Sequence, residues 1–107
     1  MGVSMSTETY ESRGQIFKWD RNKNLSNIEK HGISFKEAAL AFFDPNAATL
    51  DDEAHSQNEE RFLLIGFSEK YRLLTVCHCY REDDAVIRII SARKATKSET
   101  QLYGGEF

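Results

Sequence analysis

One proline and two cysteines among 107 residues leave little to break or cross-link the chain. With no low-complexity tract either, a folded domain is expected rather than a disordered one. No apolar run approaches the roughly 20 residues of a membrane span. The first fourteen residues, Met1 to Gly14, are rich in Ser, Thr, Glu and Arg and lack the apolar segment of a secretory signal. They read as a loose tail before a single domain over residues 15–107. Basic charge is also short: 14 Lys and Arg against 17 Asp and Glu give a net charge of −3. That excludes a general nucleic-acid coat. The two cysteines, Cys77 and Cys79, flank His78. A disulfide between i and i+2 of a strand is geometrically poor, and C-x-C lacks the second ligand pair of a zinc site. Buried, reduced thiols in a cytosolic protein are the expectation, with no metal and no cofactor.

What charge there is lies unevenly. Asp51, Asp52, Glu53, Glu59 and Glu60 crowd one segment that has no Lys or Arg, whereas Arg13, Lys18, Arg21, Lys23, Lys30 and Lys36 face only Asp20 and Glu29. A local basic surface is therefore possible, as is a basic partner for the acidic segment.

The apolar pattern predicts the order β, α, α, β, β, β, β, α. Gln15 to Trp19 alternates as a strand, and Asp20 can cap a helix from Arg21 to Lys30 that Gly32 ends. Ser34-x-x-Glu37 has the capping-box form before a second helix, Phe35 to Phe43, which Asp44-Pro45 stops. The two helices are expected to pack as a hairpin. Ala47–Leu50, Arg61–Phe67, Tyr71–Tyr80 and the run from Val86 read as strands, the last three forming an antiparallel meander. Alternation from Val86 puts Ile87 and Ile89 on one face, and Arg88 with Ile90 on the other. Thr96-x-x-Glu99 is a second capping box, predicting a helix from Lys97 to Tyr103 stopped by Gly104-Gly105. Arg93, Lys94 and Lys97 cluster at the corner before it, a plausible anion site. The fold class is α+β: two N-terminal helices and a C-terminal helix on one face of an antiparallel sheet. The uncovered face is where Arg61, Arg81 or Arg88 can be displayed.

Phe17 to Ala38 carries the pattern WDxxKNxxNxxKHGISF. With Asp44-Pro45, Glu60-Arg61-Phe62, Ile65-Gly66, the run RIISARKAT (Arg88 to Thr96), Glu99 and Tyr103, it resembles the BrnT family of type II toxins. The resemblance runs from about Phe17 to Tyr103. It implies a RelE-like toxin fold and an endoribonuclease that cleaves RNA without a metal and inhibits translation. It also implies neutralisation by a BrnA-like antitoxin. Operator DNA would be reached only through the antitoxin complex, in the cytoplasm. The alternative is a non-catalytic binding module that docks an antitoxin or a ribosomal partner.

Metal-free RNA cleavage needs a base for the 2′-hydroxyl, an acid for the leaving 5′-oxygen and cations for the phosphorane. Histidine suits the proton roles and arginine the charge role. The candidate catalytic residues are His31, Arg61, Arg81 and Arg93; Lys30, Arg88 and Tyr103 are candidates for binding substrate. Arg93 is favoured as a phosphate ligand; the others each have a rival reading. His31 and Lys30 at a helix end can serve as a C-terminal cap and a solvated lysine. Arg61 and Arg81 can form salt bridges with Glu59, Glu60 or Glu82, and Arg88 can pair or snorkel. Tyr103 can stack on a base or pack a helix end. His55, in the acidic segment, reads as a solvated residue, His78 as a satisfied strand histidine and Trp19 as core.

Overall fold

The computed structural model describes residues 6–104. In chain order the elements are β1 (Thr7–Ser12), β2 (Gln15–Asp20), α1 (Arg21–His31), α2 (Phe35–Leu40), β3 (Ala48–Asp51), β4 (Phe62–Phe67), β5 (Leu73–Arg81), β6 (Val86–Lys94) and α3 (Lys97–Thr100). One six-stranded sheet runs β1-β2-β6-β5-β4-β3.

β1 corrects the reading of residues 1–14 as a tail. Thr7 to Ser12 pairs antiparallel with β2 across the two-residue turn Arg13-Gly14, both at positive φ (52° and 82°). That is the geometry whose twist matches a tight hairpin. Tyr10 is the one large apolar residue in TETYES, so the strand shows almost no hydrophobic pattern. Its pairing is secured from β2: Tyr10 packs on Phe17 and Trp19, and the Trp19 indole N–H donates to Glu8 at 2.8 Å. Residues 1–5 and Gly105, the second half of the expected helix stop, lie outside the described residues.

The expected helix order is observed. Asp20 caps α1 through its carboxylate, and Gly32 ends it at φ 72°. In α2 half of the expected box forms: Ser34 accepts from the Glu37 N–H, but the Glu37 carboxylate turns inward to Ser68 and Arg72. From Ala41 to Phe43 the chain tightens into a 3₁₀ turn. That turn lies close against β4, where a Cβ on Gly66 would come within 2.8 Å of the Ala41 carbonyl. Only glycine fits there.

Two features depart from a plain antiparallel sheet. β2 pairs with β6 in parallel, over Ile16–Lys18 against Val86–Arg88. In β6 the register skips Ile90, because Cys77 faces Ser91 while His78 faces Ile89. This is a β-bulge, and it flips the alternation. Ile87, Ile89 and Ala92 consequently face the helices. The core there gathers Phe17, Trp19, Ile33, Phe35, Ala38, Ala39, Leu64, Leu74 and Val76. Arg88, Ser91 and Arg93 share the opposite face with Thr75, Cys77, Cys79 and Lys18. Past Ile90 the bulge thus reverses the plain alternation, and Ser91 and Arg93 join Ile90 on the cavity side.

Past Arg88, β6 has no strand beside it on the β2 side. Buried Asn27 of α1 supplies the missing pairing: its side-chain amide donates to the Ala92 and Ile33 carbonyls, both at 2.8 Å, and accepts from the Ala92 N–H at 3.1 Å. α1 is thereby fastened along the open edge of β6.

Candidate active site

The sheet face opposite α1 and α2 carries a cavity of about 190 Å³. α3 borders this face, because its Glu99 bonds Thr75 and Arg93, and this corrects the expectation of all three helices on one face. Thr75, Cys77 and Leu63 form its floor, Ile90, Ser91 and Arg93 one wall, and Asp52, His55 and Arg61 the other. A shallower cavity of about 430 Å³ adjoins it and shares His55 and Arg61.

The second wall is the acidic segment, folded back on itself. The Asp52 N–H donates to the Arg61 carbonyl at 2.8 Å, continuing the β3–β4 ladder. Inside the loop the Ser56 hydroxyl donates to the Asp52 carbonyl at 2.7 Å and accepts from the Arg61 N–H at 2.9 Å. The closure sets buried Asp52 against His55, whose Nδ1 lies 3.0 Å from both carboxylate oxygens. With Nδ1–H donating to Asp52, His55 Nε2 is left to accept or give a proton at the cavity mouth. His55 is exposed, as the sequence reading expected, but that reading did not foresee its bond to Asp52. The available signal was the D-x-x-H spacing directly after a short strand.

The arginines are held by carboxylates. Arg93 meets Glu99 at two points, 2.8 and 2.9 Å, and Glu99 also accepts from Thr75 and from the Thr96 N–H. Hydrogen bonding from Arg93 is the main reason that the Glu99 carboxyl falls to about 2, against the opposing effect of burial. The corner expected to attract an anion is therefore met by the protein's own Glu99. α3 itself is one turn long, 97–100, followed by turns rather than a helix to Tyr103. Glu59 holds the other pair, 3.0 Å from Arg81 and 3.6 Å from Arg61. Arg61 Nε is buried without a hydrogen-bond partner among the described residues. Arg88 lies half-buried on the same face, in register with Lys18 and Cys79.

The remaining candidates sit elsewhere. His31 and Lys30 are exposed in the last turn of α1 and line a separate groove. Tyr103 packs edge-on to Phe67 and donates to Asp44 at 2.6 Å, at the end of β4 opposite Arg61. Cys77 and Cys79 are free and buried, as expected. Burial, with Asp52 nearby, raises the Cys77 thiol to about 11, so it stays protonated on the cavity floor. His78 is fully buried on the helix face against Phe42, its Nδ1 on the Val76 carbonyl at 3.1 Å, with Nε2 unpaired among the described residues. Burial lowers its pKa, which keeps the ring neutral. It is half satisfied rather than fully so.

A family model described as the ribonuclease toxin BrnT of type II toxin–antitoxin systems matches residues 19–99. The chain belongs to the BrnT family. That span contains every cavity residue and begins after β1, so the first hairpin strand is outside it. The fold is also similar to the crystal structure of the Brucella abortus ribonuclease toxin BrnT. Sequence identity is 23%, the TM-score is 0.57, and the likeness covers 74% of this chain and 94% of that one. No curated protein sequence matches. As a member of a type II toxin family, the BrnT-like chain has an antitoxin as its implied partner. No helix among the described residues is long and apolar enough to cross a membrane.

Proposed function

We propose that this BrnT-family chain is an endoribonuclease that cleaves RNA by metal-independent transesterification. The observation that carries the reading is the convergence of the Asp52–His55 pair, Arg61 and Arg93 on one cavity. In the reaction the substrate's 2′-oxygen attacks the adjacent phosphorus. The P–O2′ bond forms, the P–O5′ bond breaks, and the products are a 2′,3′-cyclic phosphate and a 5′-hydroxyl. His55 Nε2, oriented by Asp52, serves one of the two proton transfers. Arg61 and Arg93 hold the extra negative charge of the phosphorane, because their planar forks match its oxygens. Arg81 acts on the same face through its contact with Glu59, and Arg88 is a further phosphate contact. In this reading Tyr103 serves packing, which its contacts with Phe67 and Asp44 support, and His31 and Lys30 hold flanking substrate.

In this reading the toxin has the RelE-like manner of action: it cuts RNA in the cytoplasm and so inhibits translation. A BrnA-like antitoxin neutralises it, and operator DNA is contacted only through their complex. The rival, a non-catalytic docking module, draws support from the carboxylates already paired with Arg81 and Arg93. Purified protein incubated with RNA in EDTA separates the two. Fragments ending in 2′,3′-cyclic phosphate, abolished in His55→Ala and Arg93→Ala variants that still bind the antitoxin, support the nuclease. Intact RNA under those conditions, with normal growth on induction, rejects it for this chain.

A further inference from the structure

The groove on α1 is set apart from the cavity, yet the two meet. Ile90 and Ser91 line both. Asn22, Lys23, Ser26, Asn27, Lys30 and His31 form the other side of the groove, which encloses about 310 Å³. Those six positions follow an i, i+4, i+8 spacing and so form one continuous face of the helix. Buried Asn27 pins that face to Ala92, one residue beyond the saddle. The bulge contributes as well: the extra residue Ile90 is what turns β6 so that its edge opens toward α1 on one side and the cavity on the other.

The charge of this face is one-sided. Lys23, Lys30 and His31 supply cationic or protonatable groups, and Asn22, Ser26 and Ser91 supply neutral donors. No carboxylate lines the groove, and among the described residues neither lysine has a salt-bridge partner. The contrast with the cavity is sharp, since Arg81 and Arg93 are each held by a glutamate there. α1 has no acidic residue in its first turn.

We propose that the α1 groove is a second RNA subsite, which holds the phosphates of nucleotides flanking the cleaved bond as the strand crosses the Ile90–Ser91 saddle. This deepens the nuclease reading and rests on it for the position of the cleaved bond. The binding itself is testable without cleavage. Unpaired lysines hold a flexible polyanion as point charges, whereas the forked arginines of the cavity suit a single developing phosphorane. Binding of this kind depends on salt, with a slope of about 0.7 for each phosphate neutralised on a single strand.

The probe is a ten-nucleotide 2′-O-methyl RNA, which binds but cannot be cleaved, compared with a three-nucleotide one by fluorescence anisotropy. In the full-length Lys23→Gln/Lys30→Gln protein, affinity for the longer probe is expected to fall at least about fivefold. Two lost phosphate contacts should also lower the salt slope by about 1.4. Ser26→Glu, which places a carboxylate in the groove and leaves both lysines, should weaken the longer probe in the same direction. Lys36→Gln removes one charge outside the groove, where Lys36 lies over the Tyr10 ring; it is the net-charge control for each lysine variant made singly. Wild-type affinity and slope in the double variant overturn the subsite, as does a loss in Lys36→Gln equal to that in each single variant. Loss of antitoxin binding with RNA binding intact would assign the groove to the protein partner and overturn it too. RNA left uncut by a wild-type protein that still binds the longer probe rejects the nuclease and keeps the groove.

Discussion

Arg93 and Glu99 are joined by two parallel hydrogen bonds, 2.8 and 2.9 Å long, across the corner between β6 and α3. The same carboxylate completes the Thr96 capping box and accepts from Thr75 of β5. One glutamate therefore fixes both the helix and the arginine that faces the cavity. Its carboxyl lies at about 2, below an ordinary 4.5, chiefly through Arg93. A lowered carboxyl stabilises the fold above the unfolded value, and that stability is lost as pH falls through the folded one. Unfolding free energies from denaturant titrations across pH should drop between about pH 4.5 and pH 2 in the wild type, by at most about 3 kcal/mol. Glu99→Gln should flatten that limb and be less stable at pH 7.

His55 and Asp52 should act as one unit. His55→Ala is expected to lower RNA cleavage by about 10²- to 10⁴-fold, the usual range for a positioned proton-transfer group. Asp52→Asn removes the carboxylate that orients the ring and should lose a large part of the same factor. The double variant is expected to be little worse than His55→Ala alone. Full additivity in single-turnover rates would show that the two residues work separately.

Glu37 and Arg72 form an ion pair of unequal burial. The Glu37 carboxylate is 2% exposed and the Arg72 side chain 30%. Burial pushes the Glu37 carboxyl up, but bonds from Arg72 and Ser68 outweigh it and the net direction is down. Removing the arginine strands a buried charge, whereas removing the glutamate leaves a guanidinium that can reach water. Arg72→Ala should therefore lower stability at pH 7 more than Glu37→Gln does. In Arg72→Ala the carboxyl rises, so the penalty should shrink as acid protonates it. Urea titrations of both variants at pH 7 and pH 4 check the order and the sign.

Asn27 replaces a strand. Asn27→Ala leaves the Ala92 and Ile33 carbonyls and the Ala92 N–H without their partner. The expected loss is about 2–3 kcal/mol, from unsatisfied buried groups. Hydrogen exchange at Ala92 should accelerate before the global transition. Unchanged protection there would mean that α1 is not held at β6 through Asn27.

The local signals in the chain were strong. Asp20, Ser34 and Thr96 cap the helices they were expected to start, and Gly32 ends α1. Cys77 and Cys79 lie on the face opposite His78, as alternation requires. β1 was not legible, because a strand with one large apolar residue has no period to read and owes its place to Trp19 and Phe17. The second half of the Ser34 box was lost because an arginine remote in sequence, Arg72, competes for Glu37 more strongly than a local N–H.

By itself, then, the amino-acid order determined the helix starts, the end of α1, the succession of elements from β2 onward and the family, but not β1 or the ends of α2 and α3. The site depended on contacts across the sheet. Arg88 and Arg93 are five residues apart and should lie on opposite faces of a regular strand; the bulge at Ile90 sets them on one. His55 reached Arg61 and Arg93 only because a ten-residue loop closes through Ser56 between paired strands. Side-chain direction in a strand reverses with every residue. A single bulge or loop closure, settled by long-range packing, therefore decides which charges meet.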